Sequence, residues 1–182
     1  MNPPYPPAID RVLYTEEQIE QRIREVAADI TQRYRDRNLK LIGVLKGSVF
    51  FLAALARHLD FPVRVDYLAI SSFSATKSSP GMVRIAKDLD EPIEGDDVLV
   101  VEDIVDTGLT LRYLLQTLAG RGPNSLGICT LLDRTSRRLV QVPVEFRCFE
   151  IGDHFVVGCG LDHRQYYRNL RYLAVLKPEN KA

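Results

Sequence analysis

The sequence predicts an α/β fold in which a mainly parallel sheet is flanked by helices. The prediction depends on a strand, helix and strand pattern that occurs twice, over Leu41 to Leu45, Ser48 to Leu59 and Val63 to Ile70, then over Val98 to Val101, Leu109 to Ala119 and Ser125 to Leu132. Because parallel strands need crossover connections, two such units place helices on both faces of one sheet. At 182 residues the chain can bury one good core, so we expect a single domain over residues 1–182.

The N-terminal part predicts an arm followed by a helix. Residues 1–11 are rich in proline and are expected to be flexible. Thr15-Glu16-Glu17-Gln18 has the capping-box pattern that starts a helix. Apolar residues then recur at spacings of three and four, which predicts an amphipathic helix ending near Asp36; these residues are Ile19, Ile23, Val26, Ala27, Ile30 and Tyr34.

The middle and the last third of the chain are less regular. Ser71 to Gly81 reads SSFSATKSSPG, which is too polar and too rich in turn-forming residues for the core, so we predict a mobile loop. A short strand from Met82 to Lys87 is expected after it. Further short strands are predicted at Val144 to Glu150, Phe155 to Val157 and Tyr172 to Leu176.

The composition excludes several classes of protein. Hydrophobic residues make up 46% and charged residues 26%, which is ordinary for a globular protein and excludes disorder. There is no apolar run of roughly 18 residues and no signal peptide, so no membrane association is expected. Lysines plus arginines equal acids at 24 each, so no overall field attracts nucleic acid. Cys129, Cys148 and Cys159 lack metal-type spacing and are interpreted as reduced, mostly buried residues of a cytoplasmic protein.

The chemistry is expected beyond the carboxyl ends of the parallel strands, where open α/β sheets bind ligands. Glu102 and Asp103 follow the apolar run Val98 to Val101, and the loop from Asp106 to Thr110 opens the next helix. A Thr, Gly and Thr loop at a helix N-terminus offers N–H groups, hydroxyls and the positive end of the helix dipole, which suit a phosphate. The two carboxylates could bind sugar hydroxyls or hold Mg²⁺, which prefers oxygen ligands and keeps part of its water.

The stretch VLVVEDIVDTGLT, Val98 to Thr110, resembles the phosphoribosyl-pyrophosphate-binding motif of the type I phosphoribosyltransferases, in the form of their hypoxanthine-guanine branch. The resemblance extends from about Val12 to Leu176. It implies the type I phosphoribosyltransferase fold, with a mobile active-site loop and a small base-binding hood. It also implies a purine-salvage enzyme that uses Mg²⁺ to transfer the phosphoribosyl group from phosphoribosyl pyrophosphate to hypoxanthine or guanine. IMP or GMP and pyrophosphate would be the products, and a homodimer or homotetramer is expected.

Within the motif, the resemblance implies a substrate-binding set made of Glu102, Asp103, Ile104, Asp106, Thr107, Gly108, Leu109 and Thr110. Asp106 lies between the acids and the phosphate loop, so it is the expected general base that takes the ring proton of the purine. Lys46 and Gly47 match a family pair that contacts the pyrophosphate, often across a non-proline cis peptide.

Two downstream segments complete the implied site. In LLDRTSRR, Leu131 to Arg138, Arg134 stands where the family usually has lysine, and it would donate to the exocyclic oxygen of the purine. Arg137 and Arg138 beside it are interpreted as a solvated basic turn.

The second segment, DHFVVGCGLDHRQYYR, resembles the part of the family that binds the base and a second metal. By that match Phe155 stacks on the purine, the Val156 backbone binds its edge, and Arg168 contacts the pyrophosphate. Asp162 would help to hold Mg²⁺ there, so the expected metal ligands are Glu102, Asp103 and Asp162. In the predicted mobile loop, Phe73 stands where the family commonly has tyrosine, so a hydroxyl is missing.

Other interpretations of the motif are open at this point. Half of an ATPase site is disfavoured because the chain has no Gly-x-x-x-x-Gly-Lys-Ser/Thr loop. Specificity for xanthine or another oxopurine is compatible with the motifs. A regulatory protein that senses phosphoribosyl groups and binds RNA would need a basic face, which the zero net charge disfavours.

Overall fold

A computed structural model describes residues 6–72 and 83–177 of the chain. Its elements, in chain order, are β1 (Ile9–Tyr14), α1 (Glu16–Tyr34), β2 (Leu39–Leu45), α2 (Ser48–Arg57), β3 (Arg64–Ser72), β4 (Val83–Lys87), β5 (Asp97–Val105), α3 (Leu109–Ala119), β6 (Ser125–Asp133), β7 (Phe146–Glu150), β8 (Val156–Val157) and β9 (Leu173–Leu176). The predicted mobile loop lies outside the described residues from Phe73 onward. None of the described helices combines the length and apolar character needed to cross a membrane.

The main sheet has six strands in the order β4-β3-β2-β5-β6-β7. All neighbouring pairs are parallel except β3 with β4, which is antiparallel. The predicted α/β fold with a mainly parallel sheet is therefore confirmed. The carboxyl ends of β2, β5 and β6 lie side by side at one edge, so the segments that follow these strands meet there.

Alternation along β5 gives the sheet two apolar faces. Leu99 and Val101 pack into the core that contains the buried residues of α1 and α2. Val98 and Val100 pack into a second core with α3. Successive side chains of a strand point to opposite faces, so a fully apolar strand requires helices on both sides, as the sequence predicted.

Helix α1 begins with the predicted capping box. Thr15 Oγ1 accepts from the Gln18 backbone N–H at 3.3 Å, and the Gln18 side chain accepts from the Thr15 N–H at 2.9 Å. Such a cap stabilises a helix by about 1 kcal/mol. The buried face of α1 consists of the six residues that the apolar spacing indicated: Ile19, Ile23, Val26, Ala27, Ile30 and Tyr34.

A second sheet of three antiparallel strands, β1-β9-β8, forms a hood beside the main sheet. The prediction of a flexible arm over residues 1–11 is wrong for residues 9–11, which lie in β1. Ile9 is buried and pairs with Leu176, and Arg11 pairs with Val175. The strand was missed because its partner β9 is at the other end of the described chain, and no local pattern reveals such a pairing.

Strand β5 continues past the apolar run that predicted it. Its ladder with β6 pairs Glu102 with Thr130 and Val105 with Asp133. Glu102 and Asp103 therefore lie inside the strand, whereas the sequence analysis placed them after it. The backbone ladder holds these polar residues in strand conformation even though the apolar run ends at Val101.

Candidate active site

The two acids of β5 are consecutive residues, and both are half-buried. Burial raises the pKa of Glu102 well above its usual range, and the charge of Asp103 raises it further. Burial also raises the pKa of Asp103 to about 6. Two smaller effects lower the pKa, namely the Ile104 N–H, which donates to Asp103 Oδ1 at 2.9 Å, and the nearby positive charge of Arg168. Desolvated carboxyl groups on two consecutive residues favour a bound cation, because a cation would stabilise their charged forms.

The donor set of these acids suits a hard cation with few protein ligands. Glu102 Oε2 is buried and has no hydrogen-bond partner among the described residues. Within the described ranges no group of three or more His, Cys, Asp or Glu side chains could hold a metal ion by itself. Mg²⁺ is commonly bound by one or two carboxylates, with water and substrate phosphates completing its shell. Glu102 and Asp103 fit that pattern.

Lys46 and Gly47 follow β2 at the same edge of the sheet. The peptide between Leu45 and Lys46 is cis, Lys46 is exposed and Gly47 is buried. A Cβ on Gly47 would overlap the carboxylate of Asp103, and a Cβ on Gly160 would overlap the carbonyl of Gly47. Gly47 therefore lies against the Asp103 carboxylate and Gly160 lies against the backbone of Gly47, so only glycine fits at these two positions.

Asp162 and Arg168 lie on the loop that follows Gly160. The Arg168 guanidinium forms an ion pair with Asp162 at 2.7 Å and donates to the Gly160 carbonyl at 2.6 Å. The Gln165 N–H donates to the other Asp162 oxygen at 2.8 Å. Because Gly160 packs against Gly47, and Gly47 against the Asp103 carboxylate, this loop lies beside β5. The structure thus brings Gly47, Asp103, Asp162 and Arg168 together.

The loop from Asp106 to Thr110 connects β5 to α3. Gly108 precedes the helix with φ of +83°, a conformation that suits glycine. Thr107 Oγ1 accepts from the Leu109 N–H at 3.4 Å, and Leu109 and Thr110 are exposed in the first turn of α3. The first N–H groups of a helix have no partner within the helix, so this end of α3 is suited to an anion.

Arg134 connects this loop to the hood. Its buried side chain donates through Nη1 to Asp106 Oδ2 at 3.1 Å and through Nη2 to the carbonyl of His154. Two atoms of the pair, Arg134 Nε and Asp106 Oδ1, are buried without a hydrogen-bond partner in the described structure. The site therefore holds one unpaired donor and one unpaired acceptor on two side chains that the fold joins by a hydrogen bond.

Phe155 and Val156 provide an apolar wall and a free backbone edge. The Phe155 ring is 39% exposed and meets the His163 ring edge-on at 5.5 Å. The Leu176 N–H donates to the Phe155 carbonyl at 3.1 Å. Bonded and non-bonded pairs alternate in antiparallel strands, so the next pair, Val156 with Val175, is non-bonded and the polar groups of Val156 point away from β9. Because β8 is the edge strand of the hood, those groups face an open side.

The interpretation of Arg137 and Arg138 as a solvated turn is wrong for Arg138, whereas the Arg137 side chain is 52% exposed. Arg137 forms ion pairs with Asp153 at 3.0 Å and with Asp106 at 3.7 Å. Arg138, whose side chain is only 10% exposed, pairs with Asp133 and donates to the Asp106 carbonyl at 3.1 Å. A run of basic residues after a strand does not reveal which of them turn inward, so the sequence carried no signal for Arg138.

The comparisons with known proteins agree on one family. A family model described as the phosphoribosyl transferase domain matches residues 12–164. The hypoxanthine-guanine phosphoribosyltransferase of Bacillus subtilis is 45% identical over 170 residues, which cover 93% of this chain and 94% of that protein. The hypoxanthine-guanine phosphoribosyltransferase of Mycobacterium avium is 47% identical over 180 residues, covering 96% of this chain and 89% of its own length.

Solved structures show the same likeness. A crystal structure of a hypoxanthine phosphoribosyltransferase from Staphylococcus aureus matches with a TM-score of 0.92 and 41% identity, over 96% of this chain and 95% of that one. A structure of the Trypanosoma cruzi hypoxanthine phosphoribosyl transferase, from work on its C-terminal region, oligomeric state and activity, matches with a TM-score of 0.91 and 41% identity. It covers 97% of this chain and 96% of that one.

Proposed function

Since the chain belongs to the phosphoribosyltransferase family, among its hypoxanthine-guanine enzymes, we propose how its residues divide the reaction between them. The reaction is the purine-salvage transfer of the 5-phosphoribosyl group from phosphoribosyl pyrophosphate to hypoxanthine or guanine. IMP or GMP is formed, and pyrophosphate is released.

One observation supports the base site above the others, namely that the hydrogen-bonded side chains of Arg134 and Asp106 each keep an unpaired atom, the donor Nε and the acceptor Oδ1. A 6-oxopurine carries an acceptor oxygen at position 6 and ring N–H donors, so it can satisfy both atoms at once. A buried polar atom left unpaired costs about 1 to 3 kcal/mol, which a matching base recovers. Phe155 then covers one face of the ring, and the open backbone groups of Val156 bind its edge.

The cosubstrate is proposed to lie along the edge between the two ends of the site. The 5-phosphate occupies the loop formed by Thr107, Gly108, Leu109 and Thr110, at the positive end of α3. Glu102, Asp103 and Ile104 lie in β5 beside it, where the carboxylates bind the ribose hydroxyls and hold Mg²⁺. Lys46, Gly47 and Arg168 contact the pyrophosphate, and Asp162 would help to hold a second Mg²⁺ there.

The reaction forms one carbon–nitrogen bond and breaks one carbon–oxygen bond at the anomeric carbon of the ribose. When bound, Mg²⁺ neutralises charge on the pyrophosphate. Lys46 and Arg168 add positive charge at the same leaving group, while the Glu102 and Asp103 carboxylates favour the positive charge that develops on the sugar. Asp106 Oδ1 accepts the proton that the attacking purine ring loses, so the Asp106 carboxyl group ends the step protonated.

Homo-oligomerisation is also proposed, as a homodimer or homotetramer. Phe50 on α2 is 47% exposed and lines a largely apolar groove of about 330 Å³ together with Ile19, Ala54 and Leu170. A large exposed aromatic residue beside an apolar groove is typical of a protein interface. Phe50→Asp is expected to lower the mass measured by light scattering after size exclusion, and an unchanged mass would contradict this placement of the interface.

A cytoplasmic location is proposed from the cysteines. All three lie within the described residues and are free thiols, which a reducing compartment preserves.

The decisive experiment is to incubate the protein with Mg²⁺, phosphoribosyl pyrophosphate and each purine in turn, and to identify the nucleotide that forms. Hypoxanthine and guanine should give IMP and GMP, and xanthine tests the breadth of specificity. Excess chelator should abolish product formation. Undiminished activity in chelator would contradict the proposed metal site, and absence of any nucleotide would contradict the base site.

A further inference from the structure

Three consecutive backbone carbonyls at the proposed phosphate loop accept hydrogen bonds from a single segment of the chain. The Val105 carbonyl accepts from the Arg134 N–H at 2.9 Å, and the Asp106 carbonyl accepts from Arg138 Nε at 3.1 Å. The Thr107 carbonyl accepts from the N–H groups of the next two residues, Leu139 at 2.9 Å and Val140 at 3.2 Å. We call residues 134–140 the strap.

The direction of these carbonyls decides the direction of the N–H groups. In a trans peptide the C=O and N–H of one plane point in opposite directions, and the three peptides concerned are trans. The carbonyls of Val105, Asp106 and Thr107 face the strap. The N–H groups of the same peptides, which belong to Asp106, Thr107 and Gly108, therefore point away from the strap. Successive N–H groups that converge in this way form an anion-binding nest.

Arg138 supplies the central contact and is itself firmly anchored. Its side chain is 10% exposed and forms an ion pair with Asp133, whose side chain is 5% exposed. A second nitrogen, Nη2, lies 3.5 Å from the Val105 carbonyl, so one guanidinium reaches two neighbouring carbonyls. The space is closely filled, because a Cβ on Gly108 would lie 3.1 Å from Arg138 Cδ.

We infer that Arg138 is a positioning residue for phosphate binding, which acts through the backbone of Val105 and Asp106 and does not touch the substrate. This inference rests on the proposed placement of the 5-phosphate at the loop. Loss of a side chain that holds the carbonyls behind the nest should lower the affinity only for ligands that carry the phosphate. Loss of a residue needed merely for stability should lower the affinity for every ligand of the site.

The test compares IMP with inosine, which has the same base and ribose but lacks the phosphate. The affinities of both are measured for the whole protein and for Arg138→Ala and Arg138→Lys, with the melting temperature as a check of folding. Arg138→Ala should lower the ratio of IMP to inosine affinity about tenfold to a hundredfold, the effect of losing hydrogen bonds from a charged group. Arg138→Lys keeps the charge beside Asp133 but lacks the fork that spans two carbonyls, so a smaller loss in the same ratio is expected.

Arg147 provides a matched control. It forms the other ion pair of Asp133, at 3.1 Å, and its contacts do not include the loop carbonyls. Arg147→Ala should leave the IMP to inosine ratio within about twofold of the unmodified protein, because the nest is unchanged.

The outcomes separate this inference from the site assignment on which it rests. If the unmodified protein binds inosine as tightly as IMP, the phosphate is not held at the loop and the site assignment fails. If IMP is preferred but both Arg138 variants keep that preference, or lose both ligands equally, the positioning role is refuted. Should Arg138→Ala fail to fold, Arg138→Lys decides by the same ratio.

Discussion

Replacing Asp103 with asparagine should make the metal-free protein more stable and should lower the activity measured with Mg²⁺. Burial raises the pKa of Asp103 from 3.8 to about 6, so its charged form is disfavoured in the folded state. Asp103→Asn keeps an oxygen that can accept from the Ile104 N–H and removes the buried charge. It also removes a proposed ligand of Mg²⁺, so activity should fall while stability rises.

The magnitude follows from the pKa difference. About two pKa units, at 1.36 kcal/mol each, correspond to about 3 kcal/mol. Between about pH 4 and pH 6 the folded state keeps a proton that the unfolded state releases, so the free energy of unfolding falls as pH rises through that window and stays low at pH 7. Asp103→Asn should therefore gain up to about 3 kcal/mol at pH 7 and almost nothing near pH 4.

Urea denaturation without divalent metal, at both pH values, measures this difference. Asp97→Asn is the matched control because Asp97 is also a buried acid of β5. Burial alone would raise the pKa of Asp97, but hydrogen bonds from Ser125 and Asn124 outweigh that effect and lower it. Asp97→Asn should therefore destabilise the protein at pH 7. An Asp103→Asn protein no more stable than the unmodified protein at pH 7 would refute the reasoning.

Three further predictions concern the proposed site. Asp106→Asn should lower turnover by about 10² to 10⁴, the usual effect of a positioned base, while affinity for phosphoribosyl pyrophosphate changes less than about tenfold; turnover within a few-fold of normal would exclude the role of base. Adenine should react about ten to a hundred times more slowly than hypoxanthine in kcat/KM assays, because its amino group meets the Arg134 donor; equal rates would show that Arg134 does not bind position 6. Gly47→Ala should displace the Asp103 carboxylate and raise the Mg²⁺ concentration needed for half-maximal activity about tenfold or more, and an unchanged Mg²⁺ requirement would contradict this contact.

The sequence predicted the parts of the fold that depend on local patterns. The capping box at Thr15, the helix from Leu109 to Ala119 and the parallel strands all follow from the spacing of apolar and capping residues within a few turns of chain. Strand β1 could not be predicted, because Ile9 pairs with Leu176, and such a pairing is specified by the whole fold.

In the site, too, some features could be predicted from local sequence and others depend on the whole fold. The motif from Val98 to Thr110 indicated a phosphate loop and its acids, and the structure places them at one edge of the sheet. The ion pair between Arg134 and Asp106, and the contact of Arg138 with the loop backbone, depend on where β6 brings the next segment. Side-chain direction after a strand is set by packing, and neighbouring arginines in a sequence look alike.

Because β1 pairs with β9, the two halves of the site can form at different times while the chain is being synthesised. The three strands whose ends carry the proposed site residues of the main sheet, β2, β5 and β6, are all complete once Asp133 has been made. The hood is assembled differently, because among the described strands β8 pairs with β9 alone, and β1 must wait for that same strand. A growing chain can therefore form the sheet that presents the phosphate loop before the wall carrying Phe155 has its partner. The proposed base site is completed last, when β9 pairs with β1, the first described strand to be made, and with β8, the strand made just before it.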